Sequence, residues 1–217
     1  MIAMIISAVV AAVQGIGGPS EERTADIECV YEYRTSDDKG REDVYSTILQ
    51  VGKRSAKFVD YSTFQLDSAR TSGASEDQVE AFRLREEKKA QYFDYAIFQN
   101  EPAGNMTVYG TIISDRYSYT EDSKAMKWTL ADDEKTICGY QCHKAECEYG
   151  GRKWTAWYSQ DIPVSYGPWK LCGLPGLILA AEDSDGANKF EAIILRNGAS
   201  AITPVSDKNI TTTTREK

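Results

Sequence analysis

Ala156-Trp157-Tyr158-Ser159-Gln160-Asp161-Ile162-Pro163-Val164-Ser165-Tyr166-Gly167-Pro168-Trp169-Lys170-Leu171-Cys172-Gly173-Leu174-Pro175-Gly176-Leu177-Ile178 sets three prolines, three glycines and four aromatics within 23 residues. The run is neither low-complexity nor polar. It reads as a rigid, aromatic-lined loop with fixed turns. Pro163, Pro168 and Pro175 fix φ, and Gly167, Gly173 and Gly176 are expected in conformations closed to other residues. Such turns lower the entropy cost of ordering a loop. Strand patterns flank it at 152–159, 176–182 and 189–196, the last two joined by the hairpin turn Asp183-Ser184-Asp185-Gly186-Ala187-Asn188.

Further upstream, residues 25–34, 43–51 and 55–60 read as short strands, with a polar turn at 36–40. Residues 93–100, 106–114, 116–120, 127–130 and 136–148 also read as strands, 127–130 with weak alternation. Successive short strands with polar turns predict an antiparallel meander. One helix is expected around 75–92. Ser75-Glu76-Asp77-Gln78 opens it like a capping box, and Val79, Phe82 and Ala90 or Tyr92 share a face. The polar residues 211–217 are expected to fray.

At 217 residues and 41% hydrophobic, the chain suits one core-bearing domain. The 13 tyrosines lean towards half-buried strands and aromatic-lined grooves. A net charge of −8 repels phosphate backbones, so nucleic acid is not an expected partner. Residues 1–13 carry no charge and contain only Met, Ile, Ala, Ser and Val. That length suits a secretory apolar segment and is too short to span a bilayer. Ala11 and Ala12 offer a cleavage site, and Gly15, Gly17, Gly18 and Pro19 break a helix. The alternative is a buried N-terminal strand or helix. Residues 1–19 are expected to be a signal peptide or leader, which predicts a periplasmic or extracellular address. No transmembrane helix is expected beyond it.

Five cysteines are present, and an odd count leaves at least one thiol unpaired unless two chains are linked. Cys172 pairs with Cys138 or Cys142 if the loop folds back onto that strand, and the connectivity stays open. Cys138, Cys142, His143 and Cys147 superficially resemble a metal site. On one strand, however, Cys138 and Cys142 lie about 13 Å apart, and His143 and Cys147 point the other way. No metal or other cofactor is expected on that spacing. His143 is the only histidine. A Ser-His-Asp site would have to use it, and no Gly-x-Ser-x-Gly elbow accompanies it. No catalytic residue is assigned. The most suggestive polar and aromatic group is Arg152, Trp157, Tyr158 and Asp161. Arg152 either pairs with Asp161 or an anionic ligand, or holds the loop through backbone carbonyls.

The ordered series Thr136-Ile-Cys-Gly-Tyr-Gln-Cys-His-Lys-Ala145, Gly151-Arg152, Ala156-Trp157-Tyr158, Asp161-Ile162-Pro163, Gly167-Pro168-Trp169 and Gly173-Leu174-Pro175-Gly176-Leu177-Ile178 resembles the GLPGLI family of exported Bacteroidetes proteins. Cys142 sits at the family's cysteine, while Cys138, Cys147 and Cys172 are extra. The resemblance implies a signal peptide, a β-rich envelope protein and no established biochemical function. By further analogy it implies a lipoprotein-carrier-like half-barrel, in which a curved antiparallel sheet wraps a helix. The expected class is therefore mainly β (α+β), with a Pro/Gly/aromatic lid loop on a single domain at 20–210. The leading functional expectation is a non-enzymatic module binding an apolar ligand or peptide through Arg152, Trp157, Tyr158, Trp169, Leu174 and Leu177. The alternatives are an assembly factor docking an envelope protein at the outer membrane and, after it, a hydrolase.

Overall fold

Strand patterning accounts for most of the architecture. The computed structural model describes residues 23–37, 39–86, 93–113, 115–205 and 209–215. Strands β1 (Ile27–Ser36), β2 (Glu42–Val51), β3 (Ala56–Asp60), β4 (Tyr95–Gln99), β5 (Asn105–Ile112) and β6 (Asp115–Asp122) form one antiparallel meander. Strands β7 (Thr129–Ile137), β8 (Tyr140–Tyr149), β9 (Arg152–Ser159), β10 (Leu177–Asp183) and β11 (Asn188–Asn197) form a second. The two join where β1 pairs antiparallel with β11. With the short β12 (Ile210–Thr212) lying parallel to β6, the result is one curved sheet in the order β12-β6-β5-β4-β3-β2-β1-β11-β10-β9-β8-β7.

Alternation along each strand divides the apolar residues between two faces. Cys29 and Tyr31 of β1 point inward with Leu49, Phe58, Ile97 and Met106. Val30 points outward with Ile48 and Val59. The Tyr31 hydroxyl donates to the Ile178 carbonyl at 2.6 Å, tying the centre of the sheet to the start of β10.

The helical content differs from expectation, with two helices rather than one. Helix α1 (Tyr61–Thr71) precedes α2 (Glu76–Glu86) in the crossing from β3 to β4. The pattern of α1 is hard to read because Ser62, Thr63, Ser68 and Thr71 are modest helix formers and Phe64 is its one buried residue. The capping box of α2 forms as expected. The Gln78 N–H donates to Ser75 Oγ at 3.3 Å and the Ser75 N–H to Gln78 Oε1 at 3.0 Å. Val79 and Phe82 nevertheless stay half-exposed. The leader at 1–19 and the helix end at 87–92 lie outside the described residues.

Both helices belong to the outer side of the sheet. Phe64 packs with Val30, Ile48 and Val59, and Lys57 on β3 holds Asp67 of α1 at 2.8 Å. The sheet therefore does not wrap a helix, because α1 buries too little apolar surface to fill the concave side. The C-terminal residues expected to fray are also engaged in part. Residues 210–212 make β12, and Arg215 pairs with Glu121 at 3.2 Å.

Asp60 closes the helical excursion at both ends. Its carboxylate caps α1 at the Ser62 N–H (2.8 Å) and accepts the Phe93 N–H at 3.1 Å where the chain re-enters β4. Asp60→Ala is expected to cost about 1–2 kcal/mol. The check is urea unfolding followed by tryptophan fluorescence, where an unchanged midpoint would refute this role.

Candidate functional site

The distinctive run turns inward. Residues 160–176 leave β9, cross the concave face and return as β10, with Leu171, Leu174, Leu177 and Ile178 essentially inaccessible. Each buried side chain of this kind contributes about 2 kcal/mol. That gain must offset about 1–2 kcal/mol of backbone entropy per ordered residue, which proline and internal hydrogen bonds reduce. The segment braces itself through Leu177 N–H to Ile162 O, Ile178 N–H to Tyr166 O, Gly173 N–H to Ser165 O and Leu171 N–H to Pro168 O, all at 3.0 Å.

The surrounding strands and turns make further hydrogen bonds with the segment. Gln99 Nε2 on β4 donates to the carbonyls of Gly167 (2.7 Å) and Trp169 (2.8 Å), and Gln99 Oε1 accepts the Gly167 N–H. Trp128 Nε1 donates to Cys172 O at 2.8 Å, and the Tyr166 hydroxyl donates to Arg54 O at 2.8 Å. Lys170 is buried against β6, with Nζ 2.6 Å from Glu121 Oε1 and donating to the Tyr119 hydroxyl at 2.7 Å. Burial, and then the Glu121 carboxylate, push the nearby Tyr149 phenol upward. The run is thus a plug in the half-barrel.

Its glycines divide by cause. Gly173 has φ +93°, as expected. At Gly167 and Gly176 the constraint is space rather than φ. A Cβ on Gly176 would meet the Ser159 carbonyl oxygen at 2.1 Å, and one on Gly167 would meet Ile178 Cβ and Leu171 O at 2.7 Å. Pro168 is buried inside the plug, while Pro163 and Pro175 are exposed at its surface.

The six residues expected to bind a ligand or partner do not converge. Tyr158, Leu174 and Leu177 are buried core. Trp169 is half-buried, its ring 5.5 Å from Trp154 and 5.9 Å from Tyr149. Trp157 lies on the other face of β9 from Trp154 and Tyr158, with Lys135 Nζ 4.4 Å from its ring centre. Arg152 pairs with Asp183 rather than Asp161, Nη1 to Oδ2 at 2.6 Å. The buried Asp183 also accepts the Asn188 backbone and side-chain N–H groups at 3.1 and 2.7 Å. Arg152 therefore anchors the β10–β11 hairpin.

The cysteines correct two further expectations. Residues 136–148 are not one strand, because Cys138 (φ +50°) and Gly139 (φ +82°) form the tight turn between β7 and β8. All five thiols are free, so neither pairing of Cys172 is made. Cys138 donates to Ala192 O at 3.1 Å, and Cys172 lies 4.0 Å from Ser123 O. His143 has Nδ1 3.3 Å from Glu134 Oε1. Among the described residues no group of three or more His, Cys, Asp or Glu side chains is placed to hold a metal ion.

Open space remains where the plug meets the strand turns. A cavity of about 640 Å³ lies between Pro163, Val164, Ser165, Tyr166, Cys172 and Gly173 of the plug and residues of three turns. Those residues include Lys53 after β2, Asn100 and Gly104 between β4 and β5, and Ser123, Lys124 and Met126 after β6. The aromatic run foretold the plug side of this wall, but Lys53, Lys124 and Met126 carry no motif.

Two outcomes are expected. Gly176→Ala should lower stability by about 3 kcal/mol, measured by denaturant unfolding, since its Cβ meets backbone rather than a movable side chain. Iodoacetamide at neutral pH should label Cys138 first. Burial pushes Cys29 and Cys172 up to about 12 and Cys142 and Cys147 up to about 11, leaving them neutral thiols in the folded protein. Cys138 is the exposed one, raised by burial and by Glu191, so its labelling should accelerate as pH rises. Equal labelling of all five in folded protein, read by peptide mass spectrometry, would contradict this.

Residues 150–180, which hold β9, the plug and the start of β10, match a family described as a protein of unknown function, Porph_ging. A search of the curated proteins finds no match. Among solved structures, PNGF-II is similar in its P21 and C2 crystal forms, at 16% identity and TM-scores of 0.60 and 0.57. Each alignment covers 88% of this chain and 31% of the PNGF-II chain. The chain thus spans under a third of the length of these structures, and at that identity the likeness is one of fold, a β-rich sheet.

Proposed function

We propose that this protein is an exported cell-envelope module that binds a small apolar ligand without transforming it, in the cavity at the mouth of the plug. The observation that carries this reading is the filled interior. A half-barrel that carries a ligand inside needs an empty concave face, and here Leu171, Leu174 and Leu177 occupy that face. Space remains beside the plug in the mouth cavity, whose volume lies in the range of small-molecule sites. Its walls mix apolar and polar groups, with Met126, Pro163, Val164 and Tyr166 beside Gln99, Ser123 and Ser165.

Export rests on the uncharged apolar residues 1–13 and on the resemblance to the GLPGLI family. Docking of an envelope protein on a sheet edge is less favoured. The edge strand β7 carries Asp132, Asp133 and Glu134 and a register shift between Leu130 and Glu134, features that discourage strand addition.

Val164→Trp tests the reading by filling the cavity from a half-buried wall position. The neutral probe N-phenyl-1-naphthylamine should gain fluorescence with the wild-type protein and lose most of that gain with Val164→Trp, at an unchanged melting temperature. Equal gain in the two proteins, or none in the wild type, would overturn the proposal.

A further inference from the structure

Charge at the mouth cavity departs from charge in the rest of the chain. The protein carries 33 acidic and 25 basic residues, yet among the described residues the cavity is lined by two lysines, Lys53 and Lys124, and by no aspartate or glutamate. Neither lysine forms an ion pair among the described residues, whereas most other cations in the sheet are paired. Lys57 holds Asp67, Lys144 holds Glu146 and Lys170 holds Glu121. The acids nearest in sequence are turned to other partners. Glu101 faces Arg23 at 3.5 Å and accepts from Ser55 Oγ at 3.3 Å, and Asp122 accepts the Lys124 backbone N–H at 2.8 Å.

A second observation points the same way. The hydroxyl of Ser123, which lines the cavity, is buried and has no hydrogen-bond partner among the described residues. A buried hydroxyl without a partner costs about 1–3 kcal/mol, a cost that a ligand oxygen would remove once the Ser123 side chain rotates into the cavity. Another groove differs in charge. It lies on the outer side between α1, α2 and β4–β6, with about 590 Å³ of space. There Arg70, Arg83 and Arg116 are accompanied by Asp67, Glu86 and Asp94, so it has no net preference for an anion.

We propose that the mouth cavity takes an organic carboxylate with an apolar body. Lys53 and Lys124 pair with the carboxylate, Ser123 Oγ donates to it, and Met126, Val164 and Tyr166 cover the apolar part. This rests on the mouth cavity being the binding site and adds the chemistry of its ligand. A carboxylate matches two point charges and one hydroxyl donor, and the acidic surface elsewhere on the protein would repel it.

The test compares decanoate with decanol, which shares its chain and lacks the charge, by displacement of N-phenyl-1-naphthylamine from the full-length protein. Decanoate should displace the probe at roughly 10-fold lower concentration than decanol. Lys53→Ala/Lys124→Ala should abolish that preference, and Lys53→Arg/Lys124→Arg should retain it. Raised ionic strength should weaken decanoate alone. Equal displacement by the two compounds in the wild type, or an undiminished preference in the double alanine variant, overturns the carboxylate assignment and leaves the cavity reading standing. Displacement by neither compound overturns both.

Discussion

An irregular segment buried inside a protein carries backbone N–H and C=O groups that water cannot reach, and each needs a partner. That constraint governs residues 160–176. Internal backbone bonds satisfy part of it, and Gln99 and Trp128 satisfy more from outside the segment. The Gln99 amide matters most because it meets two carbonyls and one N–H from a fully buried position at the end of β4. Trp169, held at φ +53°, occupies a conformation that non-glycine residues rarely adopt. The Gln99 bond to its carbonyl and the packing of its ring against Trp154 over-determine it there.

The same constraint accounts for the curvature. The plug draws partners from β4, β6, β8 and β9, strands far apart in the sheet order, so the sheet must curl around it to reach them. The Lys170–Glu121 pair fixes the register of this closure. Desolvating both ions costs energy, so such a pair adds little net stability, but a wrong docking of the plug would strand the buried Lys170 charge. With the interior filled by its own chain, the protein has room for a ligand at the seam between plug and turns. This is why the proposed site draws on residues that no single sequence motif contains.

The legible elements share one property, in that their patterns are local. Strand β9 at Arg152–Ser159 matches its pattern residue for residue. The Ser75 capping box needs four consecutive residues, and the turn at 183–188 announces itself by composition. The misread elements depend on contacts distant in sequence. Cys138 and Gly139 resemble mid-strand residues until β7 is seen folding back on β8. The three-residue β12 exists because β6 offers a free edge. Asp161 is the acidic partner expected for Arg152, yet the β9–β10 register brings Asp183 alongside it instead.

Periodicity, turn composition and the Pro/Gly/aromatic run by themselves determined a β-rich chain, most of its strands and the rigid character of residues 156–178, because each depends on neighbours a few positions apart. The tertiary structure alone decided that this run is a plug rather than a lid. That outcome depends on which apolar surface fills a concave sheet, and Leu171, Leu174 and Leu177 fill it where α1, with Phe64 alone buried, does not. It alone also set Lys53 beside Ser123 and Lys124 around one cavity, since the turn after β2 and the turn after β6 are far apart in sequence.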